Sequence, residues 1–161
     1  MSTTVRWLTA DEDRAWRAFL RITVAVQTGT ARDLAELGLS TPDYEVLSTL
    51  SERDGNTSTL GEQAGKMGWS RSRLSRHATR MEARGLLRRD PDPEDGRGCL
   101  LTLTDHGLAA LEEAAPVHLA SVRHHFMDHL TPSHLSALED IARRLDEPKT
   151  SLEDHQGRGK R

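Results

Sequence analysis

Apolar residues recur at three- and four-residue intervals through most of this chain, alternate with polar ones around Leu101, and lose all periodicity beyond Glu147. The pattern predicts a series of amphipathic helices interrupted by one small hairpin. Thr9-Ala10-Asp11-Glu12 has the spacing of a capping box, and Trp16, Phe19, Leu20, Thr23 and Val24 follow at helical intervals, so a first helix is expected over about 10–37. Gly38 closes it. Thr41-Pro42 restarts a helix, with the threonine as cap and the proline where no amide donor is lost, and Tyr44, Leu47 and Leu50 form its buried stripe. The polar stretch 51–58 reads as a turn around Asp54-Gly55-Asn56. Thr59 to Glu62 forms a second capping box, opening a short helix that stops near Lys66.

After a break at Met67-Gly68, Ser70 caps a helix reaching about Arg84, with Trp69 and Leu74 spaced as a hydrophobic staple. Gly85 ends that helix. Leu86 to Arg89 reads as a strand, 90–98 is too rich in Asp, Pro and Gly to be regular, and Cys99, Leu101 and Leu103 alternate as the returning strand. Thr104 opens a helix to about Leu130 with Leu108, Leu111, Ala115, Val122 and Phe126 on one face; Pro116 inside it predicts a kink or break. Thr131-Pro132 repeats the capping signal before Leu135, Leu138, Ile141 and Leu145. The tail 148–161 lacks periodic apolar residues and reads as disordered.

Charge sharpens this outline. The whole chain carries a formal −3, yet the stretch from Lys66 to Arg89 sets eight basic residues against Glu82 alone, a local +7 that leaves −10 for the remainder. A cationic island on an acidic body is the footprint of a surface that grips phosphate. On a helical wheel Arg73, Arg76, His77, Arg80 and Arg84 share one sector, while Leu74, Ala78 and Met81 share the next. A solvated helix face of this kind would carry acids for i,i+4 pairing, which this one lacks apart from Glu82. With hydrophobic residues at 35% and aromatics at 4%, a helical protein with part of its surface covered by a second subunit is expected. One cysteine excludes an internal disulfide, and no leader or membrane-spanning run is visible, which points to the cytoplasm. There is no Gly-rich phosphate loop, activated nucleophile or framed carboxylate pair, so neither catalysis nor a cofactor is expected.

Helix, tight break, basic helix, strand, polar loop and returning strand form the order of a winged helix-turn-helix, mainly α with a small β-wing. A helix fits the ~12 Å major groove of B-DNA. Ser70, Arg71, Ser72, Arg73, Ser75, Arg76, His77 and Arg80 are the candidate contacts from the helix. In the loop, Arg97 lies between two glycines and two residues after Asp95, the chemistry of an arginine delivered into a minor groove and oriented by a carboxylate.

These residues resemble a known family. The segment 60–107, with Gly85-Leu86-Leu87-Arg88-Arg89, Asp95-Gly96-Arg97 and Leu103-Thr104-Asp105-His106-Gly107, is similar to the MarR family of bacterial transcription regulators, and the flanking helical pattern extends the likeness over roughly 8–145. The resemblance implies an N-terminal dimerisation helix (8–40), a DNA-binding winged region (41–104) and C-terminal dimerisation helices (105–147). It also implies an obligate homodimer on a pseudo-palindromic double-stranded operator, acting as a repressor released by a small aromatic or phenolic effector. For such a ligand Trp16, Tyr44 and His118 offer aromatic faces with polar tips, and Arg17 a cation; each also reads as interface or core. His118, His125 and His129, with His124 beside them, form a stripe that suits zinc, which gives a metal-responsive regulator as the alternative, although no carboxylate or thiolate joins them at ligand spacing and no metal is assigned. Cys99 reads as a core thiol. A winged-helix module that binds protein instead of DNA is the remaining alternative.

Overall fold

The computed structural model describes residues 5–96 and 98–146; Arg97 and the tail expected to be disordered lie outside the described residues. Nine elements follow in chain order: α1 (Ala10–Ala35), α2 (Thr41–Ser51), β1 (Thr57–Thr59), α3 (Leu60–Lys66), α4 (Arg71–Ala83), β2 (Leu87–Pro91), β3 (Cys99–Leu103), α5 (Asp105–His125) and α6 (Pro132–Asp146). The capping boxes at Thr9/Glu12 and Thr59/Glu62 form as expected. At α2 the cap moves one residue upstream. Ser40, not Thr41, accepts from the Asp43 amide at 3.2 Å, and the Asp43 carboxylate takes the Ser40 amide at 2.8 Å. Asp43 supplies the reciprocal half of the box that Tyr44, three residues after Thr41, cannot.

Three antiparallel strands lie in the order β1-β3-β2, with Thr57 opposite Thr102 and Leu87 opposite Leu103. The hairpin is the predicted one, but β2 runs on through Asp90 and Pro91. A proline at the end of an edge strand loses no ladder bond. The strand β1 was expected to be turn: three residues give no periodicity, and it exists because β3 offers a free edge and Thr102 a hydroxyl 2.9 Å from that of Thr57.

The core joins Leu34 and Leu39, Val46, Leu47 and Leu50 of α2, Ala64, Leu74, Ala78 and Met81 of α4, Leu86, Leu87, Leu101 and Leu103 of the hairpin, and Leu111 and Ala114 of α5. α5 begins on the turn after α4. The Thr104 hydroxyl donates to the Gly85 carbonyl at 2.5 Å, its amide to Leu86, and Gly107 sits so close that a Cβ there would overlap the Leu86 carbonyl oxygen. The helix then passes Pro116 without a break, against expectation. Pro116 is exposed, so the carbonyl that loses its amide partner can turn to water. α5 ends at His125, earlier than predicted, in a 3₁₀ turn over 127–129. α6 buries none of its residues; it stands across a groove of about 610 Å³ from Phe19, Ile22 and Val26 of α1.

Candidate nucleic-acid interface

The surface is built on α4. Gly68 (φ 64°) and Gly85 (φ 73°) bracket it with left-handed turns that a side chain would strain. Ser70 caps it through the Arg73 amide at 3.2 Å, and Trp69 and Leu74 both pack on the core. With Leu74, Ala78 and Met81 turned inward, the outermost line of the helix is Ser72, Arg76 and Thr79, flanked by Arg73 and Arg80; all five are exposed. Ser70 and Arg71 are also exposed, and Ser75 is half-buried.

His77 differs from the expected exposed sector. It is 8% exposed, with Nε2 3.0 Å from Asp43 Oδ1 and Nδ1 3.0 Å from the Arg80 guanidinium. Asp43 is itself 2% exposed and also receives Arg84 Nη1 at 2.8 Å, while Arg84 Nη2 donates to the Gly38 carbonyl at 2.6 Å. Burial alone would push the Asp43 carboxyl up, but Arg84 and the Ser40 amide and hydroxyl outweigh it and hold it below the usual range. Burial pulls His77 down; Asp43 opposes this, and Arg80 and Arg84 add to it. A buried carboxylate thus ties α2, the α1–α2 turn and both turns at the end of α4 together.

Other partners fix the remaining cations. The Arg73 guanidinium lies over the Trp69 ring, 3.8 Å from its centroid, a cation–π contact that leaves the donor edges of the guanidinium outward. Arg89 reaches from β2 to the Thr79 hydroxyl at 2.8 Å, and Glu82 takes the Arg89 amide at 3.0 Å, so the one acid of the stretch braces the hairpin. Arg88 pairs with Asp90 on the exposed side. In the loop Asp95 is exposed and its carbonyl accepts from Gly98 at 2.6 Å, closing the tip; the partner expected for it, Arg97, lies outside the described residues. Sequence reasoning missed Asp43 behind this surface and Thr79 on it. A cap read at Thr41 gave Asp43 no role, and nothing local marked its contact with Arg84, 41 residues away.

The four residues expected around an effector divide into two places. Trp16 and Arg17 line a recess of about 520 Å³ with Trp7, Leu8 and Leu20, Arg17 donating to Asp13 at 2.8 Å. The Tyr44 and His118 rings pack together, tilted by 34° with centroids 4.2 Å apart, and do not line that recess. Burial pushes the Tyr44 phenol up and the His118 imidazole down, and His118 Nδ1 is buried without a partner. The histidine stripe disperses: His125 meets Asp33 at 3.2 Å and His129 the His124 carbonyl at 3.1 Å. Among the described residues no group of three His, Cys, Asp or Glu side chains is arranged to hold a metal. Cys99 is half-buried against the core.

The sequence profile of the MarR family matches residues 39–99, which spans α2 through the first residue of β3 and contains α4 and both of its brackets. AbsC, a MarR family transcriptional regulator from Streptomyces coelicolor, is 41% identical, and the match covers 88% of this chain and 98% of AbsC with a TM-score of 0.81. The chain belongs to the MarR family. Sco3205, another MarR family regulator from Streptomyces coelicolor, solved in complex with DNA, is 32% identical with a TM-score of 0.85 over 92% of this chain and 95% of that one. The transcriptional regulator HosA of Escherichia coli O111:H- is 29% identical over 130 residues, 80% of this chain and 94% of HosA. As a MarR family member the protein is a transcription regulator with a winged-helix DNA-binding fold, and these relatives are regulators, not enzymes. No helix among the described residues is long and apolar enough to cross a membrane.

Proposed function

We propose that this MarR family member is a homodimeric repressor that places α4 in the major groove and Arg97 in the adjacent minor groove of a pseudo-palindromic operator, and is released by a small aromatic ligand. The observation that carries the reading is the outermost line of α4: short Ser72 and Thr79 around Arg76, with Arg73 and Arg80 beside them and no carboxylate among the five. Short side chains let the helix backbone approach base edges while guanidiniums take phosphate or guanine. Asp43 withdraws His77 and Arg84 from that face, so the base-reading set contracts to Ser72, Ser75, Arg76, Thr79 and the guanidinium of Arg80. The apolar faces of α1 and α6 support a second copy, and the unpartnered Nδ1 of His118 beside the Tyr44 ring supports an aromatic ligand with a hydrogen-bonding group.

A gel-shift titration against a randomised duplex pool at several salt concentrations tests this. Each phosphate neutralised adds about 0.9 to the slope of log affinity against log salt, so several arginines per copy give a steep decline. A shallow slope, or no binding, would reassign the surface to a protein partner.

A further inference from the structure

We propose that His77 is a positioning residue: its buried imidazole accepts from Arg80 through Nδ1 and holds the Arg80 guanidinium in place on the DNA-facing side of α4. This rests on the reading of α4 as the helix that meets DNA. Arginine carries donors only, so the 3.0 Å contact between Arg80 Nη2 and His77 Nδ1 requires Nδ1 to be an unprotonated acceptor. The ring proton then sits on Nε2, which lies 3.0 Å from Asp43 Oδ1 without the alignment of a hydrogen bond, so what Asp43 adds is the pull of a nearby buried negative charge on that side of the ring.

The charged groups facing the imidazole are Asp43 from α2, Arg80 from α4 and Arg84 from the cap that follows it, and Arg84 is turned away onto Asp43 and the Gly38 carbonyl. Burial holds the ring neutral, which is the state able to accept from Arg80. Trp69 stands edge-on to the same ring at 5.7 Å and carries the Arg73 guanidinium on its face. One buried imidazole therefore stands behind both flanks of the exposed line, Arg80 directly and Arg73 through the indole. A guanidinium already held in its docked place loses less rotamer freedom on meeting DNA than one free in water, and a planar fork held at a fixed tilt discriminates more sharply between bases. Exposure alone cannot supply this, because a solvated arginine samples many orientations.

The test uses the full-length protein and a duplex selected by the wild type from a randomised pool. His77→Leu removes the acceptor and keeps the site apolar, while His77→Gln retains an acceptor for Arg80 and a donor for Asp43. His77→Leu is expected to weaken binding about tenfold, the scale of one hydrogen bond to a charged group. Arg80→Ala should lose a similar factor, the double variant no more than Arg80→Ala alone, and His77→Gln should stay close to wild type. Losses that multiply in the double variant, or a folded His77→Leu protein that binds as wild type, overturn the proposal. Circular dichroism and a thermal melt show whether each variant folds. If His77→Leu does not, nitrogen NMR of the wild-type imidazole decides: a bare Nδ1 and a protonated Nε2 at neutral pH are expected, and a proton on Nδ1 overturns it. A wild type that binds no duplex overturns the DNA-binding reading and this inference with it, whereas equal binding by wild type and His77→Leu overturns this inference alone.

Discussion

The region from Leu39 to Leu103 closes its apolar core with Leu34 of α1 and Leu111 and Ala114 of α5, whereas the rest of the apolar face of α1 and all of that of α6 stay open. Every exposed large apolar side chain among the described residues lies outside that region, among them Trp16, Phe19, Ile22 and Val24 of α1, Leu119 of α5 and Leu135, Leu138, Ile141 and Leu145 of α6. Amphipathic pattern is equally clear in both places, so the contrast is one of supply. Between α2 and β3 each apolar stripe finds another stripe within the chain, whereas the stripes of α1 and α6 face each other across an open groove of about 610 Å³. Helical periodicity says that a face must be covered; it does not say by which molecule.

Substitutions in the two regions should therefore fail in different ways. Leu47→Ala, in the closed core, is expected to cost about 2–5 kcal/mol of folding stability, measured by denaturant titration. A loss below ~1 kcal/mol would mean that the winged region is packed less tightly than described. Leu138→Glu, on the open face, should leave circular dichroism of the winged region intact and weaken self-association by about 2–4 kcal/mol, read by analytical ultracentrifugation. If the variant associates like wild type, α6 is not part of a subunit interface. Arg76→Ala should cost about 1–3 kcal/mol of DNA binding, with relaxed base preference if the contact is to a base and a uniform loss if it is to phosphate. Arg97→Ala should cost less, with dimer and helix content unchanged; unaltered affinity in a gel shift would remove the wing from the contact set.

The smallest effect concerns acid. Asp43 and His77 both bind protons more weakly in the folded state than their ordinary values of 3.8 and 6.5. The unfolded chain then takes up more protons, so stability is full above about pH 6.5, begins to fall as His77 is driven to charge, and falls again as Asp43 protonates below its ordinary range. Denaturation midpoints at neutral pH and at pH 5 should show a modest drop that His77→Leu removes. An equal drop in that variant would place the titrating group elsewhere.

Much of this was legible in the residues. The caps at Thr9, Thr59, Ser70 and Thr104 and the breaks at Gly38, Gly68 and Gly85 are local chemistry, and each element start follows from two or three neighbours. What was not legible is tertiary. β1 exists only because β3 is beside it; Pro116 is tolerated because its face is wet; and His77 looks cationic on a wheel until Asp43 is folded against it. The basic stretch pointed to α4, but a wheel assigns equal standing to residues that Asp43 in fact withdraws.

The junction at Gly107 carries a mechanical consequence. With no side chain between the start of α5 and the Leu86 carbonyl, and with Thr104 bonded to Gly85 on the same turn, the connection admits no pivot. Rotation of α5 about this junction would drive its backbone into the Leu86 carbonyl, so the first turn of α5 and the turn that closes α4 are held as one piece.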